Sequence, residues 1–175
     1  ANLPTWVYIL VCAASLTQCL ALLMTFRILK QMNFLSAVSK NGSIIRWLYL
    51  FVAIAVIIKF SLQLGSTIPA ISQFAFGFRP IVIAYLHLVL LALISGYLIL
   101  FLYVNNYFEQ SRYLLKILLF FYSSIFFNEL VLALQGIGSV NYTVIPFSNE
   151  SLLTIAALLF LSSLMILYFG RLKKF

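Results

Sequence analysis

Five long apolar runs, separated only by short polar connections, decide what this chain can fold into. They lie at about residues 6–26, 47–64, 80–103, 112–135 and 152–169, and runs of roughly 18 residues or more read as membrane spans. Hydrophobic residues fill 65% of the 175 positions and charged residues only 8%, whereas water-soluble domains carry about one-quarter charged residues. The solvent for most of the chain is therefore lipid, in which a segment must satisfy its backbone polar groups internally. The expected fold class is all-α: a polytopic membrane protein, one bundle of about five transmembrane helices spanning residues 1–175 with no separate soluble domain.

The ends of the runs carry the usual interfacial markers. Trp6 and Tyr8 anchor the start of the first span, and Arg27 and Lys30 follow its end. The polar connection 31–43 carries Lys40 and the turn signal Asn41-Gly42. Pro80 suits the first turn of the third span, Gly136 and Gly138 are expected to stop the fourth, and Gly170 with Arg171, Lys173 and Lys174 closes the fifth. Arg27, Lys30, Lys40, Arg46, Arg112, Lys116, Arg171, Lys173 and Lys174 all fall on one side, with Glu109, against Arg79 and Glu150 on the other. By the positive-inside rule the N-terminus is outside and the C-terminus inside, as an odd number of spans requires. An outside N-terminus with no signal peptide before it is natural if earlier spans precede the chain, so the reading favours a piece of a larger protein in a bacterial inner membrane.

A net charge of +8 raises the question of nucleic acid, but the basic residues flank apolar runs, where they report topology and meet anionic headgroups. The expected partner is the lipid bilayer, with missing N-terminal helices or another membrane subunit, and no nucleic acid. Cys12 and Cys19 stand seven residues apart on one helix, roughly 10 Å along its axis, too far for a disulfide. The outer connections 65–78 and 137–149 are semi-apolar, with Pro69 and Pro146, and are expected to lie in the interface, re-enter, or dock on a partner. The sequons at Asn41, Asn141 and Asn149 matter only in a eukaryotic secretory setting.

Ionisable groups inside spans are costly, and each is a functional candidate. Lys59 lies in the second span, His87 in the third and Glu129 in the fourth, each roughly 10 Å below the outer end of its helix at 1.5 Å per residue. Gln63 shares a helix face with Lys59, Gln135 with Asn128 and Arg79 with His87. One network of Lys59, Gln63, His87, Asn128, Glu129 and Gln135 is expected, with Arg79 and Glu150 near its outer mouth. The plain alternative is structural: Lys59 and Glu129 neutralise each other, Lys59 snorkels to the headgroups, and His87 is a packing element. No second His, Asp or Cys stands at metal-ligand spacing to His87; a haem needs only one protein axial ligand, and Glu129, His87 and Lys59 are the group types that relay protons in membranes. The small residues Ala92, Ser95, Gly96, Ala156 and Ala157 read as helix-packing positions.

The segments 59–64, 73–91 (QFAFGFRPIVIAYLHLVLL) and 128–136 (NELVLALQG) resemble the C-terminal portion of a family of larger multi-span membrane proteins of Bacteroidetes. That family is distantly similar to the catalytic subunits of haem–copper oxidases and nitric oxide reductases. The resemblance covers nearly the whole chain, with Arg79, His87, Asn128 and Glu129 at matching positions, and implies further N-terminal spans bearing most of the histidines. Haem–copper chemistry uses two axial histidines on one haem and several more at the second centre; this chain offers only His87. Haem or copper is therefore expected only with additional segments.

The leading expectation is a membrane unit of a haem–copper-like respiratory or electron-transfer protein. Its outer-leaflet site would handle a cofactor or protons, with His87 as ligand or relay. The alternatives are a small-solute or ion transporter using the same cluster, and a structural subunit docking a partner.

Overall fold

The computed structural model describes residues 5–34, 38, 42–108 and 111–170, without the side chains of Phe74 and Phe76. The expectations for Lys40, Asn41, Glu109, Arg171, Lys173 and Lys174 fall outside the described residues. Every element is a helix, with no β-strand among the described residues. We label them α1 (Thr5–Gln31), α2 (Ser43–Gly65), α3 (Pro69–Gly77), α4 (Arg79–Val104), α5 (Arg112–Val140) and α6 (Ser148–Phe169). All but α3 are long and apolar enough to cross a membrane. The chain divides into two compact units, residues 1–77 and 78–175, each described in turn.

In the first unit, α1 packs on α2. The Phe34 and Tyr49 rings meet edge to face with centroids 5.4 Å apart near one end of the pair, and Gln18 meets Gln63 toward the other. The chain runs back antiparallel between them. Ile45, Leu48, Val52 and Ala55 form the buried stripe of α2, at the three- and four-residue spacing of one helix face. Most of α1 faces outward: Trp6, Ile9, Leu16, Leu20, Leu23 and Met24 are all exposed. In water each such side chain would forgo about 1.5–3 kcal/mol, which a hydrocarbon surround removes. The connection after α2 is not loop throughout, because α3 occupies nine residues of it.

In the second unit, α5 packs on both α4 and α6 and is the most enclosed span. Its N-terminus is capped by Ser111, whose hydroxyl accepts from the Leu114 backbone N–H at 3.1 Å, which satisfies one otherwise orphan donor. Its buried face includes Leu114, Leu118, Tyr122, Ile125, Asn128, Leu132, Gly136 and Gly138. The expectation that Gly136 and Gly138 stop this helix is wrong. The helix continues to Val140 because both glycines are contact points. A methyl group on Gly136 would meet Ile81 Cγ1 at 3.3 Å, and one on Gly138 the Thr143 carbonyl at 2.9 Å. Close approach replaces the termination signal, as glycine commonly does between membrane helices. The following loop folds back onto its own helix, with the Thr143 N–H on the Gly138 carbonyl at 2.9 Å.

Two further departures concern α4 and α6. Residues Leu88–Ser95 of α4 form a π-helix, which no periodicity announces. Ala92 and Gly96 are buried as expected of packing positions, but Ala156 and Ala157 lie on the exposed side of α6. The buried line of α6 is Ile155, Ser162 and Ile166, rotated away from the two alanines.

Candidate functional site

The second unit brings together the acid and the imidazole. Ile81 lies against Gly136, and the Tyr122 hydroxyl donates to the Gly96 carbonyl at 2.6 Å. These two contacts define an antiparallel register in which each step along α4 answers one step back along α5. Six residues past Ile81, His87 comes level with Leu130, in the same turn of α5 as Glu129. The two groups lie within electrostatic range of each other, with no direct hydrogen bond or ion pair between them among the described residues.

Each group is held locally. Nδ1 of His87 stands 2.9 Å from the Ile83 carbonyl oxygen. A carbonyl can only accept, so Nδ1 carries the proton and Nε2 is left for other chemistry. Asn128 is buried, and its amide Nδ2 lies 3.5 Å from Glu129 Oε1, at the long limit of a hydrogen bond. Glu129 itself is half-buried. With α5 carried on to Val140, Glu129 lies roughly 16 Å from the end of its helix at 1.5 Å per residue, deeper than a helix ending at Gly136 would put it.

The π-helix begins at the residue after His87. Its wider turns displace the regular hydrogen-bond ladder, and such segments recur at functional sites. Here Ser95 Oγ donates to the Leu90 carbonyl, five residues back, at 2.9 Å. Tyr122, 4% exposed, ties the far end of the segment to α5 through the Gly96 carbonyl.

The other expected members have surroundings of their own, described unit by unit. Gln135 donates to Asn149 Oδ1 at 3.3 Å and so joins α5 to the start of α6. Arg79 and Glu150 are exposed, at the first turns of α4 and α6. Lys59 and Gln63 belong to the first unit, where Lys59 Nζ donates to Gln63 Oε1 at 2.6 Å. Gln63 in turn donates through Nε2 to Gln18 Oε1. Gln18 escaped the sequence reading although the signal was available, since an amide inside a span is costly for the same reason a charge is. Tyr122 had no such signal, because tyrosines are ordinary in membrane helices. Cys12 and Cys19 are free thiols.

Among the described residues no three His, Cys, Asp or Glu side chains converge to hold a metal ion. The His87 ring is oriented by the Ile83 carbonyl through Nδ1, so Nε2 is the nitrogen that would be open to a ligand. One histidine does not fit a two-centre haem–copper site.

The fold and its apolar helices define the class: a multi-pass integral membrane protein. Compared with known proteins, the chain matches no family model, no curated sequence and no solved structure.

Proposed function

We propose that the second unit carries a proton-exchange site, built from His87 and Glu129 with Asn128 beside the carboxyl group, within the outer half of a bacterial inner membrane. The observation that supports it is the register of α4 on α5, which sets His87 level with the turn of α5 that carries Glu129, just before the π-helix. In hydrocarbon an isolated charge is expensive. A histidine–glutamate pair escapes that cost, because imidazolium with carboxylate and imidazole with carboxylic acid are both neutral overall. One proton passed between Nε2 and the carboxyl oxygen, across a bridging water, would leave the net charge of the site unchanged. Nδ1 stays on the Ile83 carbonyl and keeps the ring oriented throughout.

The resemblance to haem–copper-like respiratory or electron-transfer proteins supplies a setting in which protons are delivered to or from such a site. His87 would offer at most one axial position there, and no step of the exchange is routed through a cofactor. An optical spectrum and metal analysis of the intact gene product test that setting: absence of haem, copper and iron would remove it and leave the exchange site standing.

The test of the site is infrared titration of the reconstituted protein. A pH-dependent carboxyl band should vanish in Glu129→Gln, move in His87→Gln, and stay put in Gln135→Ala. A band unaffected by Glu129→Gln would refute the site. The irregular backbone beside polar groups also suits a small-solute or ion transporter, and solute uptake into proteoliposomes that is abolished by Glu129→Gln would favour that reading.

A further inference from the structure

We propose that Lys59, Gln63 and Gln18 form a binding site for a phosphate-type oxyanion on the α1–α2 pair. The inference is independent of the exchange site in the second unit.

The first observation is a charge without an acid. Residues 1–77 contain no Asp or Glu; the acids of the chain are Glu109, Glu129 and Glu150. Yet Lys59 is half-buried in α2, six residues short of Gly65 and so roughly 9 Å inside the helix end. An ammonium at that depth needs a counter-charge or a path to the headgroups.

The second observation is the polarity of its hydrogen bonds. An ammonium only donates, so the atom of Gln63 that meets Lys59 at 2.6 Å must be Oε1. This turns Gln63 Nε2 toward Gln18, where Oε1 accepts. The direction Lys59 to Gln63 to Gln18 thus follows from chemistry rather than from an arbitrary amide assignment. Both amide oxygens are engaged, and N–H groups are left over on all three residues. The Phe60 ring, 4.0 Å from Nζ, supports the charge from one side but offers no oxygen.

A further polar group lies one turn before Gln18 on α1. Ser15, three residues before Gln18 and hence on a neighbouring part of the same face, is 3% exposed, and its hydroxyl has no hydrogen-bond partner. The cluster therefore offers one positive charge, spare donors from two helices, and no free carboxylate. A multi-oxygen anion matches that inventory, since several oxygens can meet donors on α1 and α2 at once. A lipid headgroup phosphate and a free phosphate share this chemistry.

The experiment uses the full chain, stripped of lipid in a maltoside detergent, and follows thermal stability. Phosphatidylglycerol, the matching diacylglycerol without phosphate, inorganic phosphate, and chloride at equal ionic strength are titrated separately. Phosphatidylglycerol or inorganic phosphate should stabilise the wild type, and diacylglycerol and chloride should not. A response to the lipid alone assigns a headgroup; a response to inorganic phosphate assigns a free anion. Loss of a charge-assisted contact in Lys59→Met should weaken the response roughly tenfold or more, with Lys59→Arg retaining most of it. Gln18→Leu reads the same site should Lys59→Met fail to fold. A wild type indifferent to both phosphates, or a Lys59→Met protein with the wild-type response, overturns the proposal.

Discussion

At the scale of single residues, this chain concentrates its cost in a few side chains. Tyr122 is the clearest case outside the candidate site, because its hydroxyl serves a backbone carbonyl at the end of an irregular segment. Tyr122→Phe should lower stability by about 0.6–1.7 kcal/mol, between the average and the maximum found for hydrogen bonds between membrane helices. Unfolding in mixed micelles measures it. Glu129 and Asn128 separate by the same method. Asn128→Leu removes the amide 3.5 Å from the carboxyl and should alter the infrared band of Glu129 without abolishing it. Glu129→Gln should abolish it.

Among the elements, the decisive features are a close contact and a change of pitch. Gly138→Ala puts a methyl group 2.9 Å from the Thr143 carbonyl. Overpacking of that kind costs about 1–3 kcal/mol, more than the gain from alanine's helix propensity, about 1 kcal/mol. The variant should therefore be less stable, by thermal unfolding in detergent, despite being the better helix former. The π-helix gives a second test. Deleting one residue within Leu88–Ser95 should restore regular α-helical pitch and turn His87 against the lower half of α4 by less than the roughly 100° that one α-helical residue subtends, because the tighter pitch offsets part of the deletion. The helix content by circular dichroism should hold while the His87→Gln effect on the carboxyl band disappears. A retained effect would mean that the π-helix does not orient the imidazole.

For the whole molecule, crossing number governs the outcome. With five spans, the connection after α1 and the loop after α5 must lie on opposite sides. In a protein cleared of Cys12 and Cys19, a cysteine at Gly42 and one at Thr143 should react with impermeant maleimide from opposite faces of sealed vesicles. A cysteine at Asn106 should follow Gly42. By the positive-inside reading, Thr143 is the one that labels from outside.

What was legible beforehand was what each segment carries within itself. Apolar length is a local property, so all five spans stood in the sequence, with ends displaced by up to five residues where polar turns such as 148–151 stayed helical. The costly residues Lys59, His87 and Glu129 were legible too, since no neighbour is needed to make a charge expensive in lipid. So was the Lys59–Gln63 pair, because four residues is one turn of a single helix. Only tertiary packing could decide the rest. Gly138 becomes a contact rather than a stop because Thr143 folds back on it, Gln135 goes to Asn149 rather than to Glu129, and Gln18 receives the hydrogen bond that Lys59 begins. These outcomes depend on which faces of neighbouring helices meet. In a chain apolar on nearly every face, the hydrophobic pattern leaves helix rotation open, and it is the shapes of glycine, tyrosine and serine at the seams that close it.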